Sequence, residues 1–168
     1  MSYKENRAWS DRYLPTVKRI VGPLLLGAAP VEEDCFRATD LMILAARDLR
    51  IACRVRRPGY ADRYPYDFTV RCQIESGAET EMTKLVNGFG DWFFYGHAAE
   101  ECLGIDRYMI VDLAAWRAHL IRRGWGDLAR KSSNGDGTHF FSFDVRSFVG
   151  NPRLLIASSF AEAEAVPA

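Results

Sequence analysis

Seven arginines fall between Arg47 and Arg71, at positions 47, 50, 54, 56, 57, 63 and 71, against three acids (Asp48, Asp62, Asp67) and no lysine. Guanidinium groups match phosphate oxygens in a planar, bidentate geometry, so such a cluster can hold a nucleic-acid backbone. Arg50, Ala52, Arg54 and Arg56 recur at even spacing. In a strand that spacing puts them on one face. Like charges side by side on a strand repel. Two explanations stand: a solvated edge protected by long arginines, or a face that meets an anion. The acids offer a second chemistry. Glu32, Glu33 and Asp34 precede Asp40. Glu32 or Glu33 together with Asp40 would suit a divalent cation such as Mg²⁺ or Mn²⁺, which prefers carboxylate oxygen. The plainer alternative is a solvated helical turn.

Other chemistries find no support. There is no GxxxxGK[ST] loop, no GxGxxG between a strand and a helix, no HExxH and no GxSxG. Only three histidines exist (97, 119, 139), too few for a histidine metal cage. His97 stands alone at a strand end, as a satisfied structural histidine or as a base. The four cysteines (35, 53, 72, 102) form no CxxC pair, so a zinc ribbon is not expected. Cys53 and Cys72 read as core thiols. The apolar run Val21–Ala29 is short and broken by Pro23 and Gly27, so no membrane span and no signal peptide are expected. These features suit a reducing cytoplasm. A formal net charge of zero argues against a strongly basic non-specific DNA binder, but not against a local basic face.

The elements that must position these residues follow from periodicity. At 168 residues with 48% apolar content, one globular domain over 1–160 is expected, with a flexible Ala-Glu-rich tail at 161–168. The start to Trp9 reads as polar and loose. Ser10 reads as the N-cap of a helix carrying Leu14, Val17, Ile20 and Val21. Thr39–Arg57 reads as two antiparallel strands around a tight turn at Ala46–Asp48. A third strand follows at Phe68–Cys72, then a short helix, Glu79–Asn87, with Met82, Leu85 and Val86 inward. Glu81 and Lys84 on it stand three apart, suited to a surface ion pair. Asp91–Ala98 is an aromatic strand covered on both faces. Tyr108–Asp112 is a strand, and Leu113–Arg123 a helix with Trp116, Leu120 and Ile121 inward. Gly124–Gly137 reads as a polar loop with a strong turn signal at Asn134–Gly137. His139–Val145 and Leu154–Ser158 close the chain as strands. The class is α+β (α/β-like), a single mixed sheet flanked by helices.

The order of a leading helix, Ala38-Thr39-Asp40-Leu41, then Arg54-Val55-Arg56 fourteen residues on from Asp40, then a helix and a strand, resembles the PD-(D/E)XK nuclease-like superfamily. The resemblance covers roughly residues 32–97 and implies a restriction-endonuclease-like core. It implies Asp40 as the first metal-binding acid, with Glu33 as a partner ligand, and Mg²⁺ or Mn²⁺ as cofactor. Arg56 stands where the family places its lysine, and Lys84 where it places an auxiliary polar residue. Arg56 or Lys84 would stabilise a pentavalent phosphate. Arg54 occupies the place of the second acid, a departure that a migrated Glu32, Glu33 or Glu81 would have to make good. Arg50, Arg54, Arg56, Arg63 and Arg71 would hold phosphates without reading sequence.

The expectation is therefore a nucleic-acid-binding protein, with DNA ahead of RNA, and with Mg²⁺-dependent phosphodiester cleavage as its possible activity. The whole chain also has the look of a phage or prophage protein. The alternative is thus a non-catalytic accessory or anti-defence protein that binds nucleic acid or a host protein complex. A third reading is an interaction domain whose basic strand is merely solvated. A homodimer is compatible with all three.

Overall fold

The computed structural model describes residues 3–28, 41–43, 49–73, 79–100, 103–134 and 137–160. The chain divides into two compact units, Met1–Leu49 and Arg50–Ala168. In the first, helix α1 (Tyr3–Asp11) begins well before the expected start, supported by an i,i+4 pair between Arg7 and Asp11. Ser10 is therefore inside a helix and not a cap. Its carbonyl accepts the Tyr13 amide at 3.0 Å as the chain turns into α2 (Leu14–Val21). Pro15 fits the first turn of α2 because that position needs no amide hydrogen. Val17 and Val21 form its buried stripe. A 3₁₀ turn at Gly22–Leu25 leads into β1 (Leu26–Ala28), which pairs antiparallel with β2 (Leu41–Ile43).

In the second unit the expected hairpin is corrected. β3 (Ile51–Arg56) does not pair with β2. It runs parallel to β5 (Trp92–Ala98) along its whole length, from Ile51 beside Trp92 to Arg56 beside His97. Alternation identifies a strand but not its partner. β5 is buried from Phe93 to Ala98 and needs a neighbour on each side. β3 supplies one and β6 (Ile105–Asp112) the other, antiparallel. β9 (Leu155–Ser158) completes a mixed four-stranded sheet in the order β3-β5-β6-β9. A second, antiparallel sheet has the order β4-β8-β7, from β4 (Asp67–Gln73), β8 (His139–Asp144) and β7 (Arg130–Ser133). The class is α+β, and the strands of this unit are shared between two sheets where one was expected.

The core lies between the sheets and α5 (Leu113–Arg123). Phe93 and Tyr95 of β5 and Met109 and Val111 of β6 meet Phe68 and Val70 of β4, Phe143 of β8, and Trp116 and Leu120 of α5. Phe68 stacks on Phe143 and meets Phe93 edge-on. Each such side chain contributes about 1.5–3 kcal/mol by leaving water. Asp112 ends β6 and caps α5 in one step, its Oδ1 accepting the Ala114 and Ala115 amides at 2.8 and 3.0 Å. Ile121, expected inward, is 84% exposed, because the buried stripe runs through Leu113, Trp116 and Leu120 and leaves position 121 off it. Among the described residues, no helix is long and apolar enough to cross a membrane.

Candidate anion-binding cleft

A cleft of about 200 Å³ opens where the ends of β3 and β5 meet the polar face of the second sheet. Register explains its lining. On β4 and β8, Phe68, Val70 and Phe143 turn to the core, so Asp67, Thr69 and Ser142 share the other face. β7 adds Arg130 and Ser132 to that face, opposite Ser142 and Phe140. On the first sheet, Arg56 and His97 are register partners and lie beyond the core residues Phe93 and Tyr95.

The third wall is α3 (Tyr60–Arg63), a single turn after β3. Gly59 reverses the chain at φ 83°, a conformation that side-chain-bearing residues rarely adopt. The reversal lays Tyr60 against Arg56, whose guanidinium carbon sits 4.5 Å from the ring centroid. Tyr60 and Tyr64, four apart, stack at 6.4 Å, and Arg63 lies 5.3 Å from the Tyr64 ring. The result is a ladder of cation, ring, ring and cation. Among the described residues, no carboxylate pairs with Arg56 or Arg63. The third arginine, Arg130, is held by Asp67 at 3.1 Å. The same carboxylate oxygen accepts the Ser142 hydroxyl at 2.6 Å.

His97 forms part of the cleft lining at 2% exposure, and its Nδ1 has no hydrogen-bond partner among the described residues. Burial and then the neighbouring Arg56 and Arg107 lower its pKa from 6.5 to about 4, so the ring is neutral at pH 7. Tyr95 is hydrogen-bonded to Thr69 at 3.0 Å, and burial raises its phenol above the ordinary value.

The predicted site residues separate. Asp40, Glu32 and Glu33 lie outside the described residues, as does the 161–168 tail. Arg56 and Arg63 come together in the cleft. Arg54 does not join them. It donates to the Thr69 carbonyl at 3.0 Å and pairs with Glu81 at 2.5 Å. Glu81 also accepts the Arg71 amide at 3.1 Å, which ties β4 to α4 (Glu81–Val86). Its partner is therefore Arg54 and not Lys84, which is exposed on α4. Arg50 sits at the opposite end of β3, exposed and paired with Asp91. The arginine face is thus inward and half-buried, and Cys53, expected in the core, is exposed.

Asp40 and Glu33, expected to hold Mg²⁺ or Mn²⁺, lie outside the described residues. Among the described residues, no three His, Cys, Asp or Glu side chains come together. Where the motif needs a second acid, a guanidinium already neutralises Glu81. Sequence reasoning missed Arg130, Ser132 and Asn134, because Arg130–Ser133 has no apolar alternation. The turn signal at Asn134 followed by a clear strand was the available clue, since a hairpin demands a preceding partner. Asn134 closes that hairpin onto Thr138 through both backbone and side chain, at 2.8 and 2.9 Å. No family model, no curated protein and no solved structure matches this chain.

Proposed function

We propose that the protein binds single-stranded nucleic acid and seats one nucleotide in this cleft. The Arg56–Tyr60–Tyr64–Arg63 ladder carries the reading, because a base can join or extend such a stack of rings and guanidinium planes, and neither guanidinium has a carboxylate partner among the described residues. Stacking of a base on an aromatic ring contributes about 1–3 kcal/mol and requires an unpaired base. Arg56 and Arg63 meet the phosphate. Ser132 and Asn134 supply neutral hydrogen bonds. A cleft of about 200 Å³ is small beside pockets for whole drug-sized ligands, and suits one unit of a chain. Described Cys53 and Cys72 are free thiols, in keeping with a reducing cytoplasm.

Fluorescence anisotropy with labelled single-stranded DNA, single-stranded RNA and duplex, in EDTA and across a salt series, tests this. Single strands should bind without metal. The log–log salt slope should fall by about 0.7 when Arg56→Gln removes one phosphate contact. Duplex binding equal to single-strand binding, or a slope unchanged in the variant, removes the cleft from the interaction. Cleavage that appears only with Mn²⁺ would return the reading to Asp40.

A further inference from the structure

We infer that the cleft takes a terminal phosphate monoester of the bound strand, so that the protein recognises a nucleic-acid end. The inference rests on the nucleic-acid reading and goes beyond it. Charge is the first argument. Of the charged side chains lining the cleft, Arg130 is matched by Asp67, while Arg56 and Arg63 have no carboxylate partner among the described residues. Among the described lining residues the excess is two positive charges. An internal phosphodiester carries one negative charge, whereas a monoester carries about −1.5 to −2 at pH 7. Two guanidiniums therefore overmatch a diester and match a monoester.

The second argument is the orphan polar atom. Nδ1 of His97 is buried without a partner among the described residues, and the ring is part of the cleft lining. A buried polar atom left unpaired costs roughly 1–3 kcal/mol. A neutral imidazole donates through one nitrogen and accepts through the other, so a phosphate group that displaced the side chains covering this atom would give it a partner in either protonation state. The third argument is enclosure. Strand ends, α3 and the polar face of the second sheet wall the cleft on three sides. Tyr60 and Tyr64 line the cleft beside Arg56 and Arg63, so a phosphate held there would have rings next to it.

The test is an anisotropy titration of the full chain with short single strands of one sequence, labelled internally. The strands end in 5′-hydroxyl, 5′-phosphate or 3′-phosphate. One phosphorylated strand should bind roughly tenfold more tightly than the hydroxyl strand. Arg56→Gln and Arg63→Gln should each abolish that preference, and Arg50→Gln should keep it. The exposed Arg63 gives a variant whose folding is not in question. Equal affinity for all three strands overturns the end-recognition inference and leaves strand binding standing. Binding to no oligonucleotide overturns both. A phosphotyrosine peptide that binds where every oligonucleotide fails also overturns both, and assigns ring and phosphate to a protein partner.

Discussion

The middle of β3 and its far end carry the same residue on the same face, two positions apart, in opposite circumstances. Arg54 meets Glu81 and the Thr69 carbonyl, and joins β3 to β4 and α4. Arg56 meets a tyrosine face and a neutral histidine, with no carboxylate beside it among the described residues. What separates a structural arginine from a binding one is what the neighbouring elements bring to it. A stretch of arginines in a sequence is therefore not one surface. Here it is a clamp, a cleft wall and a solvated end.

The comparison can be broken first at Glu81. Glu81→Ala leaves the half-buried Arg54 guanidinium without its acid and the Arg71 amide without its acceptor. It should cost about 2–3 kcal/mol in urea denaturation. A loss under about 0.5 kcal/mol would mean that the middle of β3 is no clamp.

Next comes pH. The folded His97 pKa, about 4, lies below the ordinary 6.5. As pH falls through that window the unfolded chain takes the proton first. The stability present above about 6.5 is then lost, at up to about 1.4 kcal/mol per pH unit. An NMR titration sharpens the contrast. Arg56→Gln should raise the His97 pKa and Arg54→Gln should leave it, since Arg56 and not Arg54 acts on the ring. A rise in both variants would mean that the two arginines are not distinct.

Smaller effects bear on binding. Arg56→Gln should weaken single-strand affinity roughly tenfold, with stability unchanged within about 0.5 kcal/mol. Arg50→Gln and Lys84→Gln should change affinity less than about twofold, because these side chains lie outside the cleft. A tenfold loss in Lys84→Gln would move the interface onto α4.

The fold was legible where a strand or helix announces itself by its own period. The β5 aromatics, the α5 stripe through Trp116 and the class α+β all belong there. Partnership was not legible. Nothing local in Ile51–Arg56 says that it lies parallel to a strand that begins at Trp92. Half of the cleft was legible as composition, in Arg56 and Arg63. The other half, Arg130 with Asp67 and Ser142, exists only once residues that lie 63 and 75 positions apart are brought together. The change of role from Arg54 to Arg56 needs both a partner strand and a helical turn, and neither is encoded in the arginines.

The cleft's walls also differ in how long they hold their shape. Its back wall belongs to β5, whose amides are laddered between two neighbouring strands and shielded by side chains on both faces. Its front wall is α3, one turn of four residues entered through Gly59. In hydrogen–deuterium exchange, β5 should be among the last segments to take up label, while Tyr60–Tyr64 should exchange early. A strand seated between Arg56 and Arg63 would then be recorded as slower exchange in α3, over a back wall that does not change.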